Sequence, residues 1–244
     1  MTARPLIGIT TSLTSGAQAL DARYVEAVER AGGAPLILPM PRTRAALEPV
    51  TASLDGLVIT GGPGILHGLV GVLPEDLPPV CEQRWQADVW AFDALYRAGR
   101  PVLGICYGMQ FLNARLGGTL LADVQQQRGV GPHTPRRTPE ESLEHEVLLE
   151  PGTHLARVLG PEPLWVNSHH IQAVASLAPG LAASARSPDG VVEGIESADG
   201  LLLGVQFHPE RLPGTRCDQL FAALVAQAHT GRREAPPHPR SSRR

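Results

Sequence analysis

The sequence predicts an α/β fold: a mostly parallel central sheet with helices on both faces, plus a small antiparallel addition. Three observations predict it. Apolar β-type runs alternate with helical patterns through residues 6–116, at the spacing of parallel strand–helix units. Gly104-Ile105-Cys106-Tyr107-Gly108 joins an apolar strand to a helical pattern with a thiol at the junction, the form of a nucleophile elbow. From residue 146 onward, short runs are separated by turn signals, notably Asp189-Gly190 and Asp199-Gly200, and read as antiparallel strands that return one strand to the main sheet.

Taken in order, residues 6–10 form a strand followed by a Gly/Ser loop. Residues 21–31 are helical, with Tyr24, Val25 and Val28 on one face and Gly32-Gly33 as the stop. Residues 34–38 are a second strand ended by Pro39 and Pro41, residues 43–52 a short helix and residues 56–60 a third strand. Residues 61–79, rich in Gly and Pro, form a long loop, and the helix of residues 82–98 leads into the elbow strand. Helical residues 109–116 follow Cys106. Residues 125–141 are polar, carry Pro132, Pro135, Pro139 and Arg136-Arg137, and read as a loop. Residues 146–149, 164–166, 172–175, 191–195 and 201–207 are the later strands, and residues 217–228 a closing helix. Residues 1–229 make one domain without internal repeats, and the Pro- and Arg-rich residues 230–244 are expected to be a disordered tail.

Composition narrows the function. A chain of 244 residues, 43% apolar and 18% charged, buries a substantial core. No apolar run reaches the roughly 18 residues of a membrane span, and the start of the chain does not read as a signal peptide. Cys81, Cys106 and Cys217 lack metal-ligand spacing and fit reduced thiols in a cytoplasm. All 21 basic residues are arginine, which excludes Schiff-base lysine chemistry and a Walker-A phosphate loop. Five Arg and one Glu fall in residues 232–244, so the remaining 16 Arg stand against 23 acids, a net of −7. An acidic body argues against nucleic acid as the main ligand.

A thiol at an elbow lies near a helix N-terminus, whose dipole favours the reactive thiolate. It needs a base, and the base needs an orienting group. Among nine histidines the best placed is in Leu203-Gly204-Val205-Gln206-Phe207-His208-Pro209-Glu210: an apolar strand ends at His208, and Pro209 fixes the backbone between the imidazole and the Glu210 carboxylate. Ligands of parallel sheets sit beyond the carboxyl ends of the strands, where Cys106 and Gly61-Gly62 both fall.

With these pieces stand Leu54-Asp55-Gly56-Leu57, Gly61-Gly62-Pro63, Met109-Gln110, Leu116-Gly117-Gly118-Thr119, Val166-Asn167-Ser168-His169-His170-Ile171-Gln172 and Glu193-Gly194-Ile195-Glu196. In that order the chain resembles class I glutamine amidotransferases, and within them the γ-glutamyl-γ-aminobutyrate hydrolase-like branch, the C26 cysteine peptidases, over roughly residues 5–226. The resemblance implies a flavodoxin-like three-layer α/β/α domain. It implies Cys106 as nucleophile, His208 as general base and acid, and Glu210 as orienting carboxylate. It implies an oxyanion hole from the backbone amides of Gly62 and Tyr107, and substrate contacts from Gln110, Ser168 and His169. The reaction would be attack on a γ-glutamyl amide carbonyl, loss of the amine and hydrolysis of a γ-glutamyl thioester, with no metal or organic cofactor.

Some positions depart from the branch. Tyr107 stands where Arg is common, so that Gly-Ile-Cys-Tyr-Gly-Met-Gln is closer to the glutaminase part of GMP synthetase. Arg84 matches, whereas Trp85 and Asp88 replace an acidic pair; Ala122-Asp123 replaces Gln-Asp; and Pro63-Gly64-Ile65-Leu66-His67, just after Gly62, lacks the acidic residues often seen there. These changes are expected on the leaving-group side. His67 and His145 read as surface or loop residues, and Cys81 and Cys217 as packing residues. The leading reading is a cytoplasmic hydrolase of a small γ-glutamylated amine that engages neither nucleic acid nor membrane. A glutaminase subunit delivering ammonia to a separate synthase keeps the chemistry and adds a partner; a binding or regulatory module keeps only the fold. Self-association is left open.

Overall fold

The structure, a computed structural model, describes residues 3–139 and 141–234. The chain runs β1 (Leu6–Ile9), β2 (Ser12–Thr14), β3 (Ala17–Ala19), α1 (Ala22–Arg30), β4 (Ala34–Ile37), α2 (Arg44–Thr51), β5 (Gly56–Ile59), β6 (Leu69–Val70), α3 (Glu82–Arg97), β7 (Val102–Ile105), α4 (Tyr107–Arg115), β8 (Thr119–Leu121) and α5 (Val124–Arg128). It continues through β9 (Glu144–Leu149), α6 (His154–Leu159), β10 (Leu164–Asn167), β11 (Ala173–Ser176), β12 (Leu181–Arg186), β13 (Val192–Ser197), β14 (Leu202–Val205) and α7 (Asp218–Glu234).

The expected α/β architecture is borne out. β14, β7, β5, β1 and β4 lie side by side and parallel. Beyond β14, the strands β13, β12, β9 and β10 extend the same sheet antiparallel. Apolar residues on both faces make the parallel half possible: along β5, Leu57 and Ile59 pack into one core and Val58 into the other. One core gathers Val28 of α1 and Leu220 and Phe221 of α7, and the other Leu47 of α2, Phe92 of α3 and Phe111 of α4. Hence the helices form a layer on each side.

The order of strands positions the site. The chain leaves β1 for the edge strand β4, then returns to the other side of β1 at β5. β5, β7 and β14 are consecutive neighbours pointing the same way. The segments after them, Gly61-Gly62, Cys106 and His208, therefore emerge side by side at the carboxyl edge, although half the chain separates the first from the last.

Several elements differ from the sequence expectation. The Gly/Ser loop after β1 is a hairpin, because Ser15 and Gly16 both take positive φ (50° and 81°), the backbone of a tight primed turn. The polar stretch 125–141 begins inside a helix: the Asp123 carboxylate accepts from the Gln126 amide and Gly129, at φ 67°, ends it. Within the loop of residues 61–79, β6 pairs with β8, which also pairs with β11 in a separate small sheet. α6, capped by Thr153, and β12 were not expected. The last helix runs to Glu234, into the stretch expected to be tail, and the rest of that stretch, residues 235–244, lies outside the described residues. Among the described residues, no helix is long and apolar enough to cross a membrane.

Candidate active site

Cys106 caps α4 with φ 53° and ψ −104°, a conformation that side chains rarely adopt. The strain is held by close approach on both sides. A Cβ on Gly104 would sit 2.6 Å from the Gly108 carbonyl carbon, and one on Gly108 would collide with the Ile59 carbonyl of the neighbouring strand. Only glycines let the strand and helix meet this tightly, and the meeting pushes the sulfur out beyond the sheet.

After β14 the chain turns through a short 3-10 helix, Pro209–Arg211, which folds Glu210 back beside His208. The His208 Nδ1 lies 2.7 Å from the Glu210 Oε1, and both residues are buried. The Cys106 sulfur lines the same cleft as the ring, and its charge bears on the ring's protonation. Burial alone would push the imidazole toward the neutral form; the sulfur first and Glu210 second overcome it and raise its pKa to about 10. Cys106 and His208 thus border one cleft, with the Glu210 carboxylate buried behind the ring.

That cleft, of about 590 Å³, is lined by Gly61, Gly62, Tyr24, Arg136, His169 and Arg211 beside Cys106 and His208. A narrower recess of about 70 Å³ next to it is bordered by Cys106, Gln110, Gln172 and His169. Gly62 borders both spaces, and Tyr107 opens α4, so its N–H is one of the helix-start amides without an intrahelical carbonyl.

Of the expected substrate contacts, Gln110 and His169 reach this space and Ser168 does not. The Gln110 amide nitrogen donates to the Gln172 carbonyl (2.9 Å) and the Gln206 Oε1 (3.0 Å), which fixes the side chain at the recess. The His169 ring meets that of His208 edge-on, with centroids 5.8 Å apart. Burial and the neighbouring His208 charge press its pKa down to about 4, so it lines the cleft as a neutral imidazole. Ser168 is turned inward and its hydroxyl donates to the His133 carbonyl at 2.8 Å. That bond ties it to the loop that carries His133.

Further departures from expectation lie under the site. The Tyr107 side chain is buried, donates to the Asp88 carboxylate at 3.0 Å and carries the Arg84 guanidinium over its ring at 4.2 Å. Arg84 in turn donates to the Gly61 carbonyl (2.9 Å), the Thr60 carbonyl (3.2 Å) and the Ser12 hydroxyl. Tyr107, Arg84 and Asp88 therefore brace the glycine loop from below rather than facing the leaving group. Trp85 stacks on His67 at 3.8 Å, and Asp123 caps α5 while pairing with Arg137. Cys217 is buried as expected; Cys81 is exposed, at the start of α3. His145 lies on β9 with its Nε2 buried.

The residues that position the machinery were partly missed. Asn167 accepts from the His208 N–H and donates to the His208 carbonyl, both at 2.9 Å. Tyr24 accepts from the Gly61 N–H at 3.0 Å, and Gln172 pairs with both backbone groups of Ile65. An asparagine at the end of an apolar strand, directly before Ser168-His169, was the available signal for the first. Replacing Asn167 by Ala leaves two buried backbone groups of His208 without partners, at about 2–3 kcal/mol. The expected kinetic outcome is a fall in kcat with little change in KM, read from steady-state rates on any accepted substrate.

Comparison with known proteins agrees with the geometry. A family model described as peptidase C26 matches residues 5–210. A provisionally named glutamine amidotransferase of Mycobacterium tuberculosis is 37% identical, over 94% of this chain and 77% of its own. The γ-glutamyl-γ-aminobutyrate hydrolase of Escherichia coli K12 is 34% identical, over 79% of each. Among solved structures, a provisionally named GMP synthase subunit from Thermoplasma acidophilum superposes with a TM-score of 0.64 at 18% identity, covering 96% of this chain and 100% of that one, a likeness of fold.

Proposed function

The chain belongs to the peptidase C26 family, within the glutamine amidotransferase-like group, and on that premise we propose that it is a cysteine hydrolase cleaving the γ-glutamyl amide bond of a small γ-glutamylated amine. One observation carries the reading: a strained elbow thiol shares a cleft with an imidazole held by a carboxylate at 2.7 Å.

In this reading the Cys106 sulfur attacks the γ-carbonyl carbon. The backbone amides of Gly62 and Tyr107 take the oxyanion, each such donor contributing about 3 kcal/mol. His208 gives its proton to the leaving nitrogen as the C–N bond breaks. Water then enters, His208 takes a proton from it, and the γ-glutamyl thioester yields glutamate and the free thiol. Gln110 and the neutral His169 hold the glutamyl portion, and Arg136 on the cleft wall offers charge to its carboxylate. No step calls for a metal or organic cofactor. A cytoplasmic setting suits the three cysteines, which form no disulfide.

A second reading, a glutaminase subunit serving a separate synthase, is supported by the provisional names of several relatives. Tyr107 no longer favours it, because that side chain packs against Asp88 and Arg84.

Acyl-enzyme trapping tests the proposal. With hydroxylamine present, the wild-type chain should form γ-glutamyl hydroxamate from γ-glutamyl-aminobutyrate and related γ-glutamyl amines, faster than from glutamine, and none from α-glutamyl isomers. Turnover of glutamine above all of these hands the site to the second reading. Absence of hydroxamate from every donor sinks both.

A further inference from the structure

Behind the cleft wall, histidines from three separate segments each bring a ring nitrogen to the carboxylate of a fourth residue, Glu193. His133 comes from the loop after α5, His145 from β9, His170 from the loop after β10 and Glu193 from β13. The Glu193 Oε1 lies 3.4 Å from the His170 Nε2, 3.5 Å from the His145 Nε2 and 3.6 Å from the His133 Nδ1. The His133 Nδ1 and His170 Nε2 are 3.2 Å apart. We propose that His133, His145, His170 and Glu193 bind one divalent transition-metal ion of the zinc type, a site separate from the thiol chemistry.

The tautomers carry the argument. The outer nitrogen of His133, Nε2, faces the Asp189 carboxylate at 2.9 Å, and the outer nitrogen of His170, Nδ1, faces the Gln172 carbonyl at 2.9 Å. Both partners can only accept, so both outer nitrogens carry the hydrogens. With both rings neutral, the inner nitrogens are left with lone pairs facing each other and a carboxylate. Three electron-rich atoms converging in a buried place repel unless a cation lies among them. The contacts of Glu193 with the rings are long, 3.4 to 3.6 Å, and by hydrogen-bond geometry both Glu193 oxygens and the His145 Nε2 are buried without a partner.

Spacing and donor type choose the cation. Ligands about 2.0–2.1 Å from a tetrahedral ion stand ~3.4 Å from one another; Glu193 stands 3.4–3.6 Å from the three ring nitrogens and His133 3.2 Å from His170, while the donor atoms of His133, His145 and Glu193 all lie within 4.8 Å of one another. Three imidazoles and one carboxylate suit zinc, copper or nickel rather than magnesium or calcium. The outer contacts of His133 and His170 are those that orient metal-bound histidines. An ion here would be structural. The His133 carbonyl already accepts from the Ser168 hydroxyl and the His170 N–H, and Thr134 and His169, next in sequence to these ligands, line the cleft. The ion would pin that wall to β9 and β13.

The test uses the full chain with Cys106→Ser, so that the thiolate cannot hold metal. After loading with Zn²⁺ and desalting, elemental analysis should give about one zinc per chain, and Co²⁺ should give the visible absorption of a low-coordinate nitrogen–oxygen site. Chelator should lower Tm, and zinc should restore it. Asp189→Asn should weaken binding ~10–100-fold, and His145→Ala and Glu193→Gln should abolish it. Failure to retain zinc, cobalt, nickel or copper means that a proton alone serves as the cation, and overturns the proposal. So does retention undiminished in His145→Ala, whose partly exposed position makes it the safe variant should Glu193→Gln not fold.

Discussion

Replacing Cys106 by Ala should lower kcat/KM on γ-glutamyl amides by ~10⁴-fold or more, leaving only what the cleft and oxyanion amides contribute. The backbone there is strained whatever the side chain, and alanine fills less space than cysteine, so the fold should persist. The pH dependence makes the expectation sharper. Because folding raises the His208 pKa from 6.5 to about 10, the native chain binds more protons than the unfolded chain across that window. Stability from this group is full below pH 6.5 and is lost as pH rises through about 10. Cys106→Ala removes the largest contribution holding the proton, so the alkaline fall in stability should shift to lower pH. Glu210→Gln removes the other contribution and the tautomer control, and should cost ~10²–10⁴ in kcat with the alkaline limb of the rate profile also displaced downward. Urea unfolding of the two variants from pH 6 upward, beside steady-state rates, checks both. Equal turnover by wild type and Cys106→Ala would end the hydrolase reading.

What the sequence made legible follows from how local its cause was. β7, Cys106 and α4 could be read because glycine at 104 and 108 answers steric contacts within the motif and the adjoining strand. The parallel strands could be read because burial on both faces makes them continuously apolar. β12, Leu-Ala-Ala-Ser-Ala-Arg, has small side chains with weak strand preference, and its state is set by pairing with β9 and β13. Ser168 and His169 could not be told apart for a similar reason. They are neighbours in an irregular segment without a fixed period, and only the fold turns one to His133 and the other to the cleft. Arg84 and Tyr107 were visible as types, but their meaning depends on α3 lying under the glycine loop, a fact of packing.

That packing supports the second large effect. Replacing Arg84 by Met should destabilise the protein by about 3–5 kcal/mol, a Tm lower by roughly 6–20 °C for a chain of this size. Arg84 is 1% exposed and bonds the carbonyls of Thr60 and Gly61, the Ser12 hydroxyl and Asp88 at 3.3 Å. Methionine fills much of its volume and satisfies none of these. The worst residue left behind is Asp88, whose carboxyl burial already raises from 3.8 to about 6 against the pull of Arg84 and Tyr107. A raised acid favours the folded state at low pH, and that contribution is lost as pH rises through about 6. Without Arg84 the Asp88 pKa climbs further, so the deficit of the variant should be larger near neutrality than at ~pH 5. Arg84→Met/Asp88→Asn should recover much of the loss, because the buried charge is gone while the Tyr107 hydroxyl keeps an acceptor. Thermal melts of the single and double variants at both pH values test this. A single variant within about 1 kcal/mol of wild type at both would mean that the glycine loop stands without its brace.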